Sequence, residues 1–203
     1  MSTVFYVYPR TEDVPTFAAL LDRSNAELHR FLGSIDIGGR PLIHVRLQRD
    51  EDDSHVPFSI NDPARWDKDT YAWFTIGGLA GGTDAYYDDD ATAIQETWTP
   101  DVFDIPECKR LETLIHECVS VRRRWWFRRS VGQAPIVNLA YGLIAGSLAA
   151  ITGGFVHSDD GAWERMPALP EDFLRRYFRP ELALDEDFRA WSRECVDSIA
   201  EEL

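Results

Sequence analysis

The sequence predicts an α+β fold, a single two-layer domain with its strands mainly in the N-terminal half and its helices mainly in the C-terminal half. Short apolar or alternating segments typical of strands concentrate before residue 90, whereas apolar residues at helical spacing dominate after residue 105. No linker, internal repeat or low-complexity tract divides the chain. One domain spanning residues 1–203 is expected, because a chain of this length buries one large core.

The first half supplies most of the predicted strands. Residues 4–8 are expected to form the first strand, and a helix capped by Asp13 follows it and ends at Gly33, because apolar residues recur there at helical spacing. Residues 43–47 alternate apolar and polar side chains, which indicates a half-exposed strand followed by a solvated acidic loop at 50–53.

A hairpin is predicted next. Residues 71–76 have the composition of a buried strand, and the glycine-rich residues 77–82 form a turn that leads into a second strand at residues 85–87. Phosphate loops also place glycines after a strand, but no Lys-Ser or Lys-Thr pair follows these glycines. The turn is therefore the favoured interpretation.

The second half is predicted to be mostly helical. An apolar face between Cys108 and Val119 indicates a helix, which the arginine-rich residues 122–129 are expected to extend or close. The remaining predicted elements are an apolar helix at 134–152, a strand at 153–158, a short helix opened by Pro170 and stopped by Pro180, and a last helix beginning near Asp185.

Two features indicate a cytoplasmic protein without a cofactor. Residues 1–8 lack the basic region and longer apolar run of an export signal. The three cysteines, Cys108, Cys118 and Cys195, lie far apart and include no C-x-x-C pair, so buried thiols are expected rather than disulfides or a zinc site.

The charge of the chain restricts its partners. The sequence has 35 acidic and 21 basic side chains, a formal net charge of −14 and a pI near 4.7. Because nucleic acids are bound largely through Lys and Arg contacts to phosphates, a domain this acidic is a poor partner for DNA or RNA. A basic partner protein fits the charge better.

Residues 69–107 carry many acidic side chains and no Lys or Arg. A merely solvated acidic surface is one interpretation, and a negative surface that imitates a phosphate track and docks against a basic cleft is the other. Aromatic residues lie among the acids, as they do in tight protein interfaces. The predicted partner-binding residues are Asp84, Tyr86, Tyr87, Asp88, Asp89, Asp90, Trp98 and Asp101. Because residues 88–90 lack the ligand spacing of a calcium loop, no metal is predicted there.

Two further segments allow a membrane or nucleic-acid interpretation. Residues 122–129 mix five arginines with aromatic side chains, although a helix end whose arginines pair with the excess carboxylates of the chain is favoured. Residues 134–156 lack charge and contain Gly142-x-x-x-Gly146, as a transmembrane anchor would. Polar interruptions and the Gly153-Gly154 break favour a buried central helix, so no membrane partner is predicted.

The segment from His157 to Asp160 contains residue types found in hydrolytic sites. A small hydrolase or metal-dependent enzyme that uses His157, Asp159, Asp160 and His116 is therefore an alternative. However, adjacent residues of a strand point to opposite faces, so His157 and Ser158 are poorly placed to act as a base and nucleophile pair. A polar turn that ends at Gly161 is favoured, and no catalytic residues are predicted.

The same segment resembles a known family. The glycines, acids and aromatic residues of 153–163, followed by Pro167, Pro170 and Pro180, resemble predicted immunity proteins of bacterial polymorphic-toxin and type VI secretion systems, of the kind paired with nuclease toxins of the restriction-endonuclease class. The structural residues of this motif are Gly153, Gly154, Ser158, Asp159, Asp160, Gly161 and Trp163. The resemblance implies an α+β protein that binds a cognate toxin in the cytoplasm and has no chemistry of its own.

Overall fold

The α+β class is confirmed in the computed structural model, which describes residues 3–129, 132–158 and 167–203. In these residues the strands form one antiparallel sheet with the order β3-β2-β4-β5-β6-β1-β7. The strands are β1 (Thr3–Tyr8), β2 (Ile43–Arg49), β3 (His55–Val56), β4 (Thr70–Ile76), β5 (Thr83–Asp88), β6 (Arg124–Arg129) and β7 (Phe155–His157).

The helices are found mainly after residue 90. They are α1 (Phe17–Ser34), α2 (Ala91–Glu96), α3 (Pro106–Arg110), α4 (Glu112–Ser120), α5 (Pro135–Thr152), α6 (Pro170–Arg176) and α7 (Glu186–Glu202), with 3-10 turns at Pro100–Asp104 and Pro180–Leu182. The hairpin predicted around the glycine-rich turn is confirmed, because β4 and β5 pair and Gly78 and Gly81 have positive φ.

Strand alternation divides the sheet into two faces. Phe5 and Val7 of β1 point to the first face, where they join the main core with side chains from α1, α5, α6 and α7. We call this side the covered face. Helix α5 contacts β1, β4, β6 and β7 and therefore lies across the sheet as the centre of the helical layer.

Helix α5 is the buried central helix that its apolar sequence predicts. It has the length and composition of a helix that crosses a membrane, but 83% of it is buried inside the fold. A Cβ at Gly142 would collide with the ring of Tyr177, and one at Gly146 would lie 2.6 Å from Leu174 Cδ2. The two glycines thus allow α5 to approach α6 closely, which explains the G-x-x-x-G spacing by packing within the fold.

The second face of the sheet is covered at one end only. Tyr8 and Phe155, from β1 and β7, form a smaller core with Ile94, Trp98 and Ile115 of the segment that contains α2, α3 and α4. Over β2, β4, β5 and β6 the side chains of this face stay half-buried or exposed, with Asp84 as the exception. We call this uncovered area the open face; it consists of His44, Arg46, Gln48, Tyr71, Trp73, Thr75, Asp84, Tyr86, Asp88, Arg124, Trp126 and Arg128.

The prediction that residues 122–129 extend a helix is wrong. Arg124–Arg129 is strand β6, which lies between β5 and β1 in the sheet. Its side chains alternate, so that Trp125 and Phe127 join the covered face while Trp126 lies on the open face. The part of the prediction that paired these arginines with carboxylates of the chain is confirmed, since Arg124 pairs with Asp88 and Arg128 with Asp84.

Two predicted helices have different boundaries in the structure. The first begins at Phe17 rather than near Asp13, because the Thr16 hydroxyl caps it by accepting from the Ala19 N–H at 3.1 Å. The helix predicted between Cys108 and Val119 is divided at Leu111 into α3 and α4. All three cysteines are free and buried, as predicted.

Candidate protein interface

A row of aromatic side chains crosses the open face and ends at Tyr6 of β1, which packs against the smaller core. Tyr6, Trp126 and Tyr86 occupy neighbouring positions on β1, β6 and β5, and Tyr71 of β4 continues the row. The rings of Tyr86 and Trp126 are stacked with centroids 4.0 Å apart, and those of Tyr71 and Tyr86 with centroids 5.9 Å apart. We call Tyr6, Trp126, Tyr86 and Tyr71 the aromatic row. All four side chains are partly exposed, so the row presents ring surface to solvent.

Carboxylates surround the Tyr71 end of the aromatic row. The Tyr71 hydroxyl donates to Asp53 Oδ1 at 2.5 Å, and the Tyr86 hydroxyl donates to Asp50 Oδ1 at 3.3 Å. Burial, together with the charge of Asp84, raises the pKa of Tyr86 to about 12. Burial and the hydrogen bond to Asp53 also raise the pKa of Tyr71 well above its ordinary value. Both phenols therefore stay neutral donors at physiological pH.

Two arginines of β6 are held on the open face between a ring and a carboxylate. The Arg128 guanidinium lies 6.0 Å from the centroid of the Tyr86 ring and pairs with Asp84. The Arg124 guanidinium lies 5.1 Å from the centroid of the Tyr6 ring and pairs with Asp88 at 2.9 Å. Each arginine thus has both a cation–π contact and an ion pair. A tyrosine ring beside a carboxylate is therefore the arrangement that holds guanidinium groups on this face of the sheet.

The predicted partner-binding residues do not form one surface. Asp84 is only 3% exposed and is paired with Arg128, so it is unavailable to a partner. Trp98 is 8% exposed and packs against Tyr8 and Phe155 beneath α2, which makes it a core residue. Both residues must be removed from the predicted contact set, because burial could not be judged from their acidic and aromatic neighbours in the sequence.

The remaining predicted partner-binding residues are divided between the two faces of the sheet and the segment that follows β5. Tyr86 and Asp88 are on the open face, whereas Tyr87 points to the covered face and contacts Trp125. Asp89 and Asp101 are exposed on the segment that follows β5. Asp90 is also exposed, and its carboxylate caps α2 by accepting from the Thr92 N–H at 2.9 Å.

Several residues on or beside the open face were not predicted as site residues. Tyr71 and Trp126 belong to the aromatic row, and Asp50 and Asp53, predicted only as a solvated loop, lie at its end. The alternation of Arg124, Trp126 and Arg128 within 124–129 was the available signal for β6, because a period of two is typical of a strand. The proximity of residues 50–53 to β5 depends on sheet register, which the sequence pattern does not specify.

The residues of the family resemblance have partly structural roles. Gly153 has a φ of 63° and ends α5, and Gly154 lies so close to the Tyr8 carbonyl that a Cβ there would collide with it. Ser158 is buried. The predicted turn residues Asp159, Asp160, Gly161 and Trp163 lie outside the described residues.

The two histidines of the enzyme alternative have different neighbours. The His157 ring lies 5.0 Å from that of Trp98, and the His116 ring is stacked on Phe103 with centroids 4.8 Å apart. His116 Nε2 is also 3.9 Å from the Glu112 carboxylate. Within residues 3–129, 132–158 and 167–203, no group of three His, Cys, Asp or Glu side chains could hold a metal ion.

No family model, curated protein or solved structure matches the chain. The resemblance of residues 153–180 to immunity proteins therefore receives no support from these comparisons. A proposal about function must therefore be argued from the chemistry of the open face and from the charge of the chain.

Proposed function

We propose that the protein is an immunity protein that binds and neutralises a cognate secreted toxin, of the nuclease class, in the cytoplasm. The observation that carries the proposal is the open face, where half-buried Tyr and Trp rings are surrounded by carboxylates. Large aromatic side chains supply much of the binding energy of protein interfaces when a partner removes them from water. The open face has no catalytic role in this proposal.

The charge supports a basic partner. The net charge is −14, and exposed acids continue beyond β5 along α2 and the following 3-10 turn, at Asp89, Glu96, Asp101 and Asp104. A nuclease binds phosphates through a basic cleft, so an acidic inhibitor is attracted to that cleft before contact. Occlusion of the cleft would then exclude the nucleic acid.

The open face could in principle stack bases, as aromatic sheet surfaces of single-strand binders do. The carboxylates of Asp50, Asp53, Asp84 and Asp88 argue against this, because each lies beside a ring or an arginine that a nucleic acid would need to use. A basic protein gains from these charges, whereas a phosphate backbone is repelled.

The direct test is to search the adjacent reading frames for a toxin domain and to co-express any such domain with this protein. We expect cell survival and a stable complex of the two proteins in purification. Trp126→Ala should weaken the complex by roughly tenfold or more, since a central aromatic anchor is lost. Cell survival without a complex would contradict the proposal, and so would a Trp126→Ala variant that binds the toxin with unchanged affinity.

The exposed acids that follow β5 allow a separate kinetic measurement. Asp89→Asn with Asp101→Asn should slow association at low ionic strength and reduce the dependence of the association rate on salt. The matched control is Glu194→Gln with Asp197→Asn, which removes the same charge from the exposed side of α7. If both double variants slow association equally, the net charge of the protein alone sets the association rate, and the acids after β5 do not form a localised interface.

A further inference from the structure

The open face repeats one arrangement of groups. Arg128 lies over Tyr86 and pairs with Asp84, and Arg124 lies over Tyr6 and pairs with Asp88. In both cases a guanidinium group is held between a tyrosine ring and a carboxylate. This is a favourable environment for arginine, because the planar cation stacks on the ring while its N–H groups bond the carboxylate.

The same two groups occur a third time at the end of the aromatic row. Tyr71 is partly exposed, and its hydroxyl is bonded to Asp53, whose side chain is exposed. Asp50 lies at the same end of the row, because its carboxylate accepts from the hydroxyl of Tyr86, whose ring stacks on Tyr71. Among the described residues, no arginine lies over the Tyr71 ring, and none forms an ion pair with Asp50 or Asp53.

We infer that Tyr71, Asp53 and Asp50 form a recognition subsite for an arginine side chain supplied by the partner protein. We call these three residues the arginine subsite. The inference rests on the proposed function for the identity of the partner, but the chemistry of the subsite can be measured without it. Arginine fits better than lysine, because its flat guanidinium can stack on Tyr71 and still reach two carboxylates.

The subsite also explains how an acidic protein distinguishes a nuclease cleft from other basic surfaces. Such clefts carry arginines that bind phosphate in a fork geometry, and a carboxylate accepts the same fork. The carboxylates of Asp53 and Asp50 thus take the place of phosphate oxygens, while Tyr71 supplies the stacking surface. General acidity attracts the partner, and the subsite determines which residue of the partner docks there.

The full-length protein can be tested with small probes in an NMR titration. The probe is N-acetyl-arginine amide, and the control probe is N-acetyl-citrulline amide, which has nearly the same shape but no charge. We expect the arginine probe to shift the ring resonances of Tyr71 and Tyr86 and the backbone amide of Asp53, with much smaller shifts from citrulline. Equal shifts from both probes, or arginine shifts confined to other surfaces, would overturn the inference.

Two substitutions one residue apart separate the subsite from the general charge. Asp53→Asn removes the subsite charge without strain, because Asp53 has a φ of 55°, which asparagine tolerates well. Asp52→Asn removes the neighbouring charge and retains an oxygen to accept from the Ser54 N–H. Asp53→Asn should abolish the arginine-specific shifts, and Asp52→Asn should leave them. The inference fails if the two variants behave alike.

The complex with the toxin gives an independent readout. Asp53→Asn should weaken the affinity by roughly tenfold, and Asp52→Asn by less than about twofold. If the toxin binds and neither variant changes its affinity, the subsite is refuted while the proposed function stands. If the arginine probe binds at Tyr71 and the toxin forms no complex, the subsite stands and the proposed function fails. Binding of oligothymidylate to the same rings, without binding of the arginine probe, would refute both.

Discussion

Trp125 and Trp126 are neighbours in the sequence but belong to opposite faces of the sheet. Trp125 is fully buried on the covered face, where its Nε1–H donates to the Ala64 carbonyl at 2.7 Å. Trp126 is partly exposed on the open face, where it stacks on Tyr86. Strand alternation therefore divides the aromatic residues of β6 between the buried core and the surface for which we propose a role in partner binding. Substitutions on the covered face should act on folding, and substitutions on the open face should act on binding.

The largest effect is expected where the covered face is most closely packed. Gly142→Ala places a methyl group into the ring of Tyr177, whose hydroxyl bonds the Asn138 carbonyl at 2.6 Å. Because neither α5 nor α6 can move without disturbing the core, we expect a loss of about 3 kcal/mol in the free energy of unfolding. Urea denaturation followed by tryptophan fluorescence measures this change.

Gly33→Ala is the matched control, since Gly33 lies in α1 and a Cβ there meets no atom within 4 Å. Alanine has the higher helix propensity, so this variant should be stabilised by up to about 1 kcal/mol. A Gly142→Ala protein as stable as Gly33→Ala would mean that the α5–α6 contact is looser than described.

The two tryptophans allow the most direct comparison of the faces. Trp125→Phe loses the hydrogen bond to Ala64 and leaves a gap in the core, so we expect a cost of about 2 kcal/mol. Trp126→Phe should change stability by under about 1 kcal/mol and still reduce toxin binding, because the smaller ring covers less of the interface. Denaturation curves and binding isotherms for both variants test the division. Equal losses of stability would contradict it.

The smallest effect concerns alkaline pH. The pKa of Tyr86 is raised by burial and by the charge of Asp84 to about 12, above its ordinary value of 10.0. Above pH 10 the unfolded chain loses this proton first, so stability present below pH 10 should fall as the pH rises towards 12. Tyr86→Phe should show a shallower fall across this interval in urea denaturation. Identical slopes for the variant and the wild type would mean that Tyr86 titrates normally.

The sequence was sufficient to predict several elements of the sheet and its helical layer, although not strand β6. The apolar run of α5, the cap of α7 at Asp185 and the glycine-rich hairpin turn are local signals, and each element is present in the structure. Local patterns succeed here because burial on one side leaves a clear period in the sequence. The site was predicted less well, since Tyr86 and Asp88 were identified but Tyr71, Asp53 and Trp126 were not.

The sequence-based predictions failed where contacts between distant parts of the chain determine the secondary structure or the burial of a residue. Arginines at Arg124 and Arg128 are unusual inside a sheet, and they are tolerated because β5 places Asp88 and Asp84 beside them. A run of charges therefore resembled a helix end. In the same way, Trp98 could not be recognised as buried, because its cover comes from the docking of α2 on β1 and β7. Periodicity does not contain this information.

The position of β1 has a consequence for biosynthesis. Its neighbours in the sheet are β6 and β7, so Thr3 pairs with Arg129 and Tyr8 pairs with Phe155. While the ribosome is still translating the intervening residues, β1 has no partner strand, and its apolar side chains are exposed on the nascent chain. Pairings between residues so distant in the sequence also slow folding. Newly made chains can therefore complete the sheet only after β7 has left the ribosome.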